Sequence, residues 1–320
     1  MAIGQMSWRT AVLVAGVTLG VAGAAGAQPK PGGAGDGAGR GSGKVRAIDT
    51  VGTAELLNRF ASEDAEVRKG AIEHFKERIA SQPARVLDLR TQVFKALQTG
   101  KHFDEAIDLA WYGTVTVPHD TRAVEGFAQA RVRALLAAGK ADEALQAAKS
   151  LFNVATMAGT SEAILLVAET LNAARPKDKE SFNKFREEQM AGATAQPAEG
   201  SAPESVRTAK GAKSTVLESI KVDPAKFEPV LAKMTGEDYQ SLMGRGNLLL
   251  MADRVAEARE VFERMYSLAS ASELVEASEA LARTIRAEDG TIGRANAWVS
   301  AIKPKPAAVA PTTPAPAPAK

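Results

Sequence analysis

Residues 135–155 read LLAAGKADEALQAAKSLFNVA, alanine and leucine broken once by Gly139-Lys140 and restarted by Asp142-Glu143-Ala144. Ala144, Ala148, Leu151, Phe152 and Ala155 recur three and four apart, which places them on one stripe of a helix. Gly139 stands where a preceding helix would end. The stretch offers packing surface and no reactive group, so it predicts two antiparallel helices in close contact.

The same pattern extends outward. Residues 97–110, LQTGKHFDEAIDLA, align with 135–148, setting Ala106 and Ala144 38 residues apart. A third unit, 242–269, has the same helix-turn-helix order. Self-similarity of this kind is the mark of stacked helical hairpins. Residues 49–80 continue the helical spacing through Val67, Ala71, Ile72, Phe75 and Ile79, with Ser62 as the expected cap. Further helices are expected at 84–98, 103–116, 121–138, 141–156, 161–174 and 178–190, and helical spacing resumes at 214 and runs to 302. The predicted class is all-α.

These units resemble the tetratricopeptide repeat (TPR) family, in which a small residue of the first helix packs against an alanine twelve positions later. Gly246 and Ala258 hold that spacing, Phe262 falls where the family has an aromatic, and Pro118 follows Ala106 by twelve. The resemblance implies an α-solenoid of stacked antiparallel hairpins whose inner face binds peptides or proteins. It points to Asn247, with Gln240 and Met243 before it on the same face, and to Gln129 and Arg133 in the earlier unit, as candidate partner-binding residues. If Asn247 faces such a groove, alanine there leaves stability unchanged within about 0.5 kcal/mol. The chain departs from the family pattern at three places. The turn at His102 carries an extra residue, Val132 stands where a small residue is expected, and 49–80 look as much like a HEAT helix. Peptide-carboxylate binders of the family have lysine where Met243 stands.

Composition bounds the rest. Of 320 residues 45% are hydrophobic and only 5% aromatic, and 40 Lys and Arg nearly balance 38 Asp and Glu, which gives no electrostatic case for nucleic acid. Residues 1–27 read as a signal peptide: Arg9, an apolar run from Ala11 to Ala24, and the small residues Ala25 and Ala27 before the cleavage point. That implies export to the periplasm or beyond, with no stable membrane anchor after cleavage. There is no cysteine and hence no disulfide. Residues 28–48 are expected to be a glycine-rich linker, 49–191 a helical repeat segment, 192–213 a disordered linker, 214–303 a second TPR-like segment, and 304–320 a proline-alanine tail. The ending GRGSGK, 39–44, lacks the glycine and hydroxyl spacing of a phosphate loop.

No catalytic, metal or cofactor site is expected. His74, His102 and His119 have no second histidine at ligand spacing. Asp104-Glu105 and Asp142-Glu143 recur in register at helix starts, where the helix dipole favours acids, so they read as structural. Ser270 and Glu273 form a capping box. Trp111, Tyr112 and Trp298 are expected to fill gaps between helices. The function implied is a non-enzymatic interaction scaffold for a protein or peptide partner. A structural envelope component that contacts the wall matrix is the alternative, with a helical-fold enzyme behind it.

Overall fold

The computed structural model describes residues 52–176, 179–194 and 213–301. The expected signal peptide, glycine linker and tail, and positions 195–212 of the expected linker, lie outside the described residues. The described residues fall in one compact unit. They form α1 Thr53–Phe60, α2 Ala65–Ser81, α3 Pro83–Thr99, α4 Phe103–Thr116, α5 Thr121–Ala137, α6 Ala141–Val154, α7 Thr160–Ala174 and α8 Lys179–Thr194. After position 213 come α9 Thr215–Glu218, a 3₁₀ turn at Pro224–Lys226, α10 Glu228–Leu231, α11 Tyr239–Met251, α12 Val255–Leu268, α13 Leu274–Asp289 and α14 Gly293–Ala301. No strand occurs among them, and none of these helices is long and apolar enough to cross a membrane.

The local chemistry accounts for most of these boundaries and corrects some. The cap of α2 is Asp64, whose carboxylate accepts from Glu66 N–H at 2.9 Å. Ser62, the expected cap, instead accepts from Asp64 N–H. Asp120 and Asp238 cap α5 and α11 in the same way. At α13 the Glu273 carboxylate takes the Ser270 N–H at 2.9 Å, one half of the capping box. Helix α8 runs through Thr194, three residues into the expected linker. Between 219 and 238, where helical spacing was expected to run on, there are only the 3₁₀ turn and α10. Proline at 224 and 229 cannot continue a helix interior.

Three turns are alike. Lys101, Gly139 and Asp253 have φ of 60°, 72° and 62°, the left-handed conformation that ends helices. The next residues, His102, Lys140 and Arg254, each donate N–H to a leucine carbonyl five back (Leu97, Leu135, Leu249) at 2.8–2.9 Å. Four residues further on come Ala106, Ala144 and Ala258, all with no exposed surface. The turn at His102 therefore has no extra residue. Gly100 belongs to the end of α3, and Lys101 takes the left-handed place that Gly139 holds in the next unit.

Each helix packs on its successor across α4–α5–α6–α7 and α11–α12–α13–α14. Contacts also skip one: α1 on α3, α2 on α4, α3 on α5, α5 on α7, α11 on α13. Two apolar clusters result. Phe60, Phe75, Phe94, Leu109 and Phe127 belong to one, and Phe152, Phe185, Phe227, Phe262 and Trp298 to the other. Helix α5 feeds both, Phe127 on one side and Val132 on the other. The second cluster includes residues before 195 and after 212, because α6 lies against α11 and α13. Trp298 is buried, and Trp111 meets Phe227 edge-on at 5.1 Å.

The small residues permit this close approach. A Cβ at Gly246 would collide with the buried Phe262 ring. Leucine at Ala144 or Ala258 must force its extra volume into the same kind of contact, so Ala144→Leu and Ala258→Leu are each expected to cost about 1–3 kcal/mol. Thermal melts followed by circular dichroism measure this. Parent-like melting would mean that neither alanine limits the helix spacing.

Candidate functional site

The five residues singled out as partner-binding meet different fates. On α11, Gln240 is exposed, but Met243 and Asn247 are 1% and 0% exposed. The Asn247 amide donates to the Pro118 carbonyl at 2.8 Å and to Thr121 Oγ1 at 3.2 Å, and its Oδ1 accepts from Arg283 Nη1 at 2.7 Å. Met243 Sδ accepts from Thr121 Oγ1 and Arg283 Nη2. The groove face expected at these two positions is filled by the chain's own α4–α5 turn. The expectation that Asn247→Ala spares stability is overturned accordingly.

Beneath them lies a polar seam that the sequence did not reveal. Arg283 and Arg286, one helical turn apart on α13, are 2% and 1% exposed. Arg283 donates to the Val154 carbonyl at 3.3 Å; Arg286 donates to the Asn153 carbonyl at 3.2 Å, to the Ala155 carbonyl and to Thr160 Oγ1 at 2.8 Å. These carbonyls are the end of α6, which has no partners within its own helix and carries the negative end of its dipole. The rings of Phe262 and Phe152 lie 5.4 and 5.5 Å from the two guanidiniums. Burial draws both pKa values down, to about 10 and about 9, and for Arg286 the charge of Arg283 adds to the effect. Both remain cations at neutral pH. The capping continues to a third helix: Asn153 and Ser150 of α6 donate to the last carbonyls of α11, Leu250 and Met251. Lys149 joins Asp253 and the Ile220 carbonyl at 2.5 and 2.6 Å.

Gln129 and Arg133 behave otherwise. They line an open cleft of about 140 Å³ between α3 and α5, with Arg90, Thr91, Phe94, Lys95, Gln98 and Gly126. Gln129 donates to Glu125 at 3.1 Å, and Arg133 pairs with Glu162 of α7. The Arg90 side chain crosses from α3 onto α5 and lies where a side chain at 126 would be, 5.8 Å from the Phe127 ring. A glycine inside α5 was the available signal for this crossing, since it costs about 1 kcal/mol against alanine unless something else uses the space.

No family model, curated protein or solved structure matches the chain.

The remaining titratable groups are held separately. Glu105 accepts from Arg68 Nε and Nη2 at 3.1 and 3.0 Å, and Asp104 pairs with Lys140 at 2.8 Å. Asp142 and Glu143 are exposed. His74 is half-buried on α2, where burial and then Arg78 lower its pKa; His119 is exposed. Among the described residues no three His, Asp or Glu gather in a way that could hold a metal ion.

Asp289, the last residue of α13, lines a second cleft of about 340 Å³ that Lys149, Arg259 and Glu288 also line. It is 2% exposed, accepts from Arg294 at 2.8 Å through Oδ1, and its Oδ2 has no hydrogen-bond partner. Burial lifts its pKa to about 6 against the opposing pull of Arg294. The native state thus holds this proton more tightly than the unfolded chain, so the contribution is full below pH 4 and lost as pH rises through 6. Asp289→Asn is expected to raise stability at pH 7, by on the order of 2 kcal/mol, and to leave it unchanged at pH 4. Urea titrations at the two pH values decide. A variant weaker than the parent at pH 7 would mean that the Arg294 pair outweighs burial.

Proposed function

We propose that this chain is an exported, non-enzymatic, TPR-like scaffold that holds a partner protein on its α3–α5 face. The like turns at Lys101, Gly139 and Asp253, each followed by a buried alanine, support a repeat architecture of stacked hairpins. The reading of export rests on residues 1–27, and with it a periplasmic or extracellular location.

One observation carries the choice of face. Of the two positions at which the repeat pattern points to a ligand, the one on α11 is occupied by the chain itself and the one on α5 opens into a cleft. A partner reaches Gln129 and Arg133 without disturbing the fold. To reach Asn247 it must expel Pro118 and Thr121.

A photo-crosslinking residue placed singly at Thr91, Gln129 or Gln240 in the native host tests this. Adducts with one protein from 91 and 129, and none from 240, are expected. Adducts from 240 alone would move the interface to α11, and their absence at all three would remove the scaffold reading. N-terminal sequencing of the exported protein should begin at Gln28.

A further inference from the structure

We infer that the α3–α5 cleft takes an acidic segment of its partner, with Arg90 as the anchor for a carboxylate. This rests on the interaction reading above and adds the chemistry of the ligand. Three cations line the cleft, Arg90, Lys95 and Arg133, and no carboxylate does. The acids nearby have hydrogen-bond partners elsewhere, although the charges of Glu125 and Asp120 still attract Arg90. Glu162 takes Arg133, Asp120 caps α5, and Glu125 takes the Thr156 N–H and hydroxyl at 3.0 and 2.7 Å and the Gln129 amide. Among the described residues neither the Arg90 guanidinium nor the Lys95 ammonium makes a hydrogen bond or ion pair with another residue.

Arg90 is half-buried and positioned all the same. The Phe127 ring supports it and the missing side chain at Gly126 admits it, so it is ordered by packing and not by an acceptor. A guanidinium offers five N–H donors in a planar fork that fits a carboxylate with two parallel bonds. Donors held in a cleft without acceptors favour a ligand that brings them, and little ordering remains to be done on binding. Lys95, exposed five residues further along α3, suits a second carboxylate, and the Phe94 ring gives the cleft an apolar wall. The near balance of 40 basic and 38 acidic residues argues that this is a local preference and not a general affinity for polyanions.

The test is fluorescence anisotropy of a labelled glutamate-rich decapeptide with the purified protein, beside a lysine-rich decapeptide and a single-stranded oligonucleotide. The glutamate peptide is expected to bind, more weakly as salt rises, and the lysine peptide not to bind. Arg90→Gln should weaken binding about tenfold or more, whereas Lys233→Gln, an exposed lysine outside the cleft, should leave it unchanged. Equal losses in the two variants, tighter binding of the oligonucleotide, or no binding of the glutamate peptide would each overturn the proposal. Crosslinking from Thr91 and Gln129 separates the two levels. Adducts that persist undiminished in Arg90→Gln keep the scaffold and discard the acidic ligand; loss of adducts in the parent discards both.

Discussion

Replacing Asn247 with alanine is expected to lower the unfolding free energy by about 3 kcal/mol, with the urea midpoint falling at unchanged slope. The amide is wholly buried and uses both ends. Its nitrogen serves the Pro118 carbonyl and Thr121, and its oxygen serves Arg283. Alanine leaves that carbonyl and one guanidinium N–H without their partner, at roughly 1–3 kcal/mol each. The better helix propensity of alanine returns only about 0.5 kcal/mol. Gln240→Ala, seven residues earlier and exposed, is the control, and should stay within about 0.5 kcal/mol of the parent. If the two variants unfold together, the α11 face is not closed against the α4–α5 turn.

The contrast between these two residues shows what the sequence reveals and what it conceals. Helical period assigns Gln240, Met243 and Asn247 to neighbouring places on one helix, but it carries no information about what covers that helix. The cover is Pro118, 129 positions away. Hairpins are legible because their cause is local: a left-handed residue, a restart, an alanine four places on. Even there the alignment slipped by one at Gly100, since lysine, not glycine, holds the left-handed position. The buried arginines were illegible for the opposite reason. Arg283 and Arg286 look like solvated residues of a charged helix, and only the end of α6 brought against them makes them structural. Of the α3–α5 cleft, Gln129 and Arg133 were found through the repeat pattern, and Arg90 was missed because its position depends on a glycine in another helix.

Arg286→Leu tests that seam most directly, and is expected to cost about 3–5 kcal/mol. Two effects oppose each other. Leucine removes a buried cation from beside Arg283, and apolar replacement of buried ionic groups stabilises some proteins by about 1–4 kcal/mol. Against this, the carbonyls of Asn153 and Ala155 lose their donor, at roughly 1–3 kcal/mol for each buried group left unpaired, while the Thr160 hydroxyl still donates to the Thr156 carbonyl. The α6 dipole also loses its countercharge, which in a partly buried setting is worth up to about 2 kcal/mol. The second set is larger. The pKa of Arg286, drawn down to about 9, still leaves it charged at pH 7. The fall itself is the cost of burying the cation beside Arg283, and the hydrogen bonds to the end of α6 are what that cost is set against. Arg286→Lys keeps the charge but replaces the planar fork with a single, more strongly hydrated ammonium. It should fall between the leucine variant and the parent. Urea unfolding at pH 7 ranks the three. A leucine variant as stable as the parent would mean that relief of buried charge outweighs the capping of α6, and that the seam between α6 and α13 is held by its apolar contacts alone.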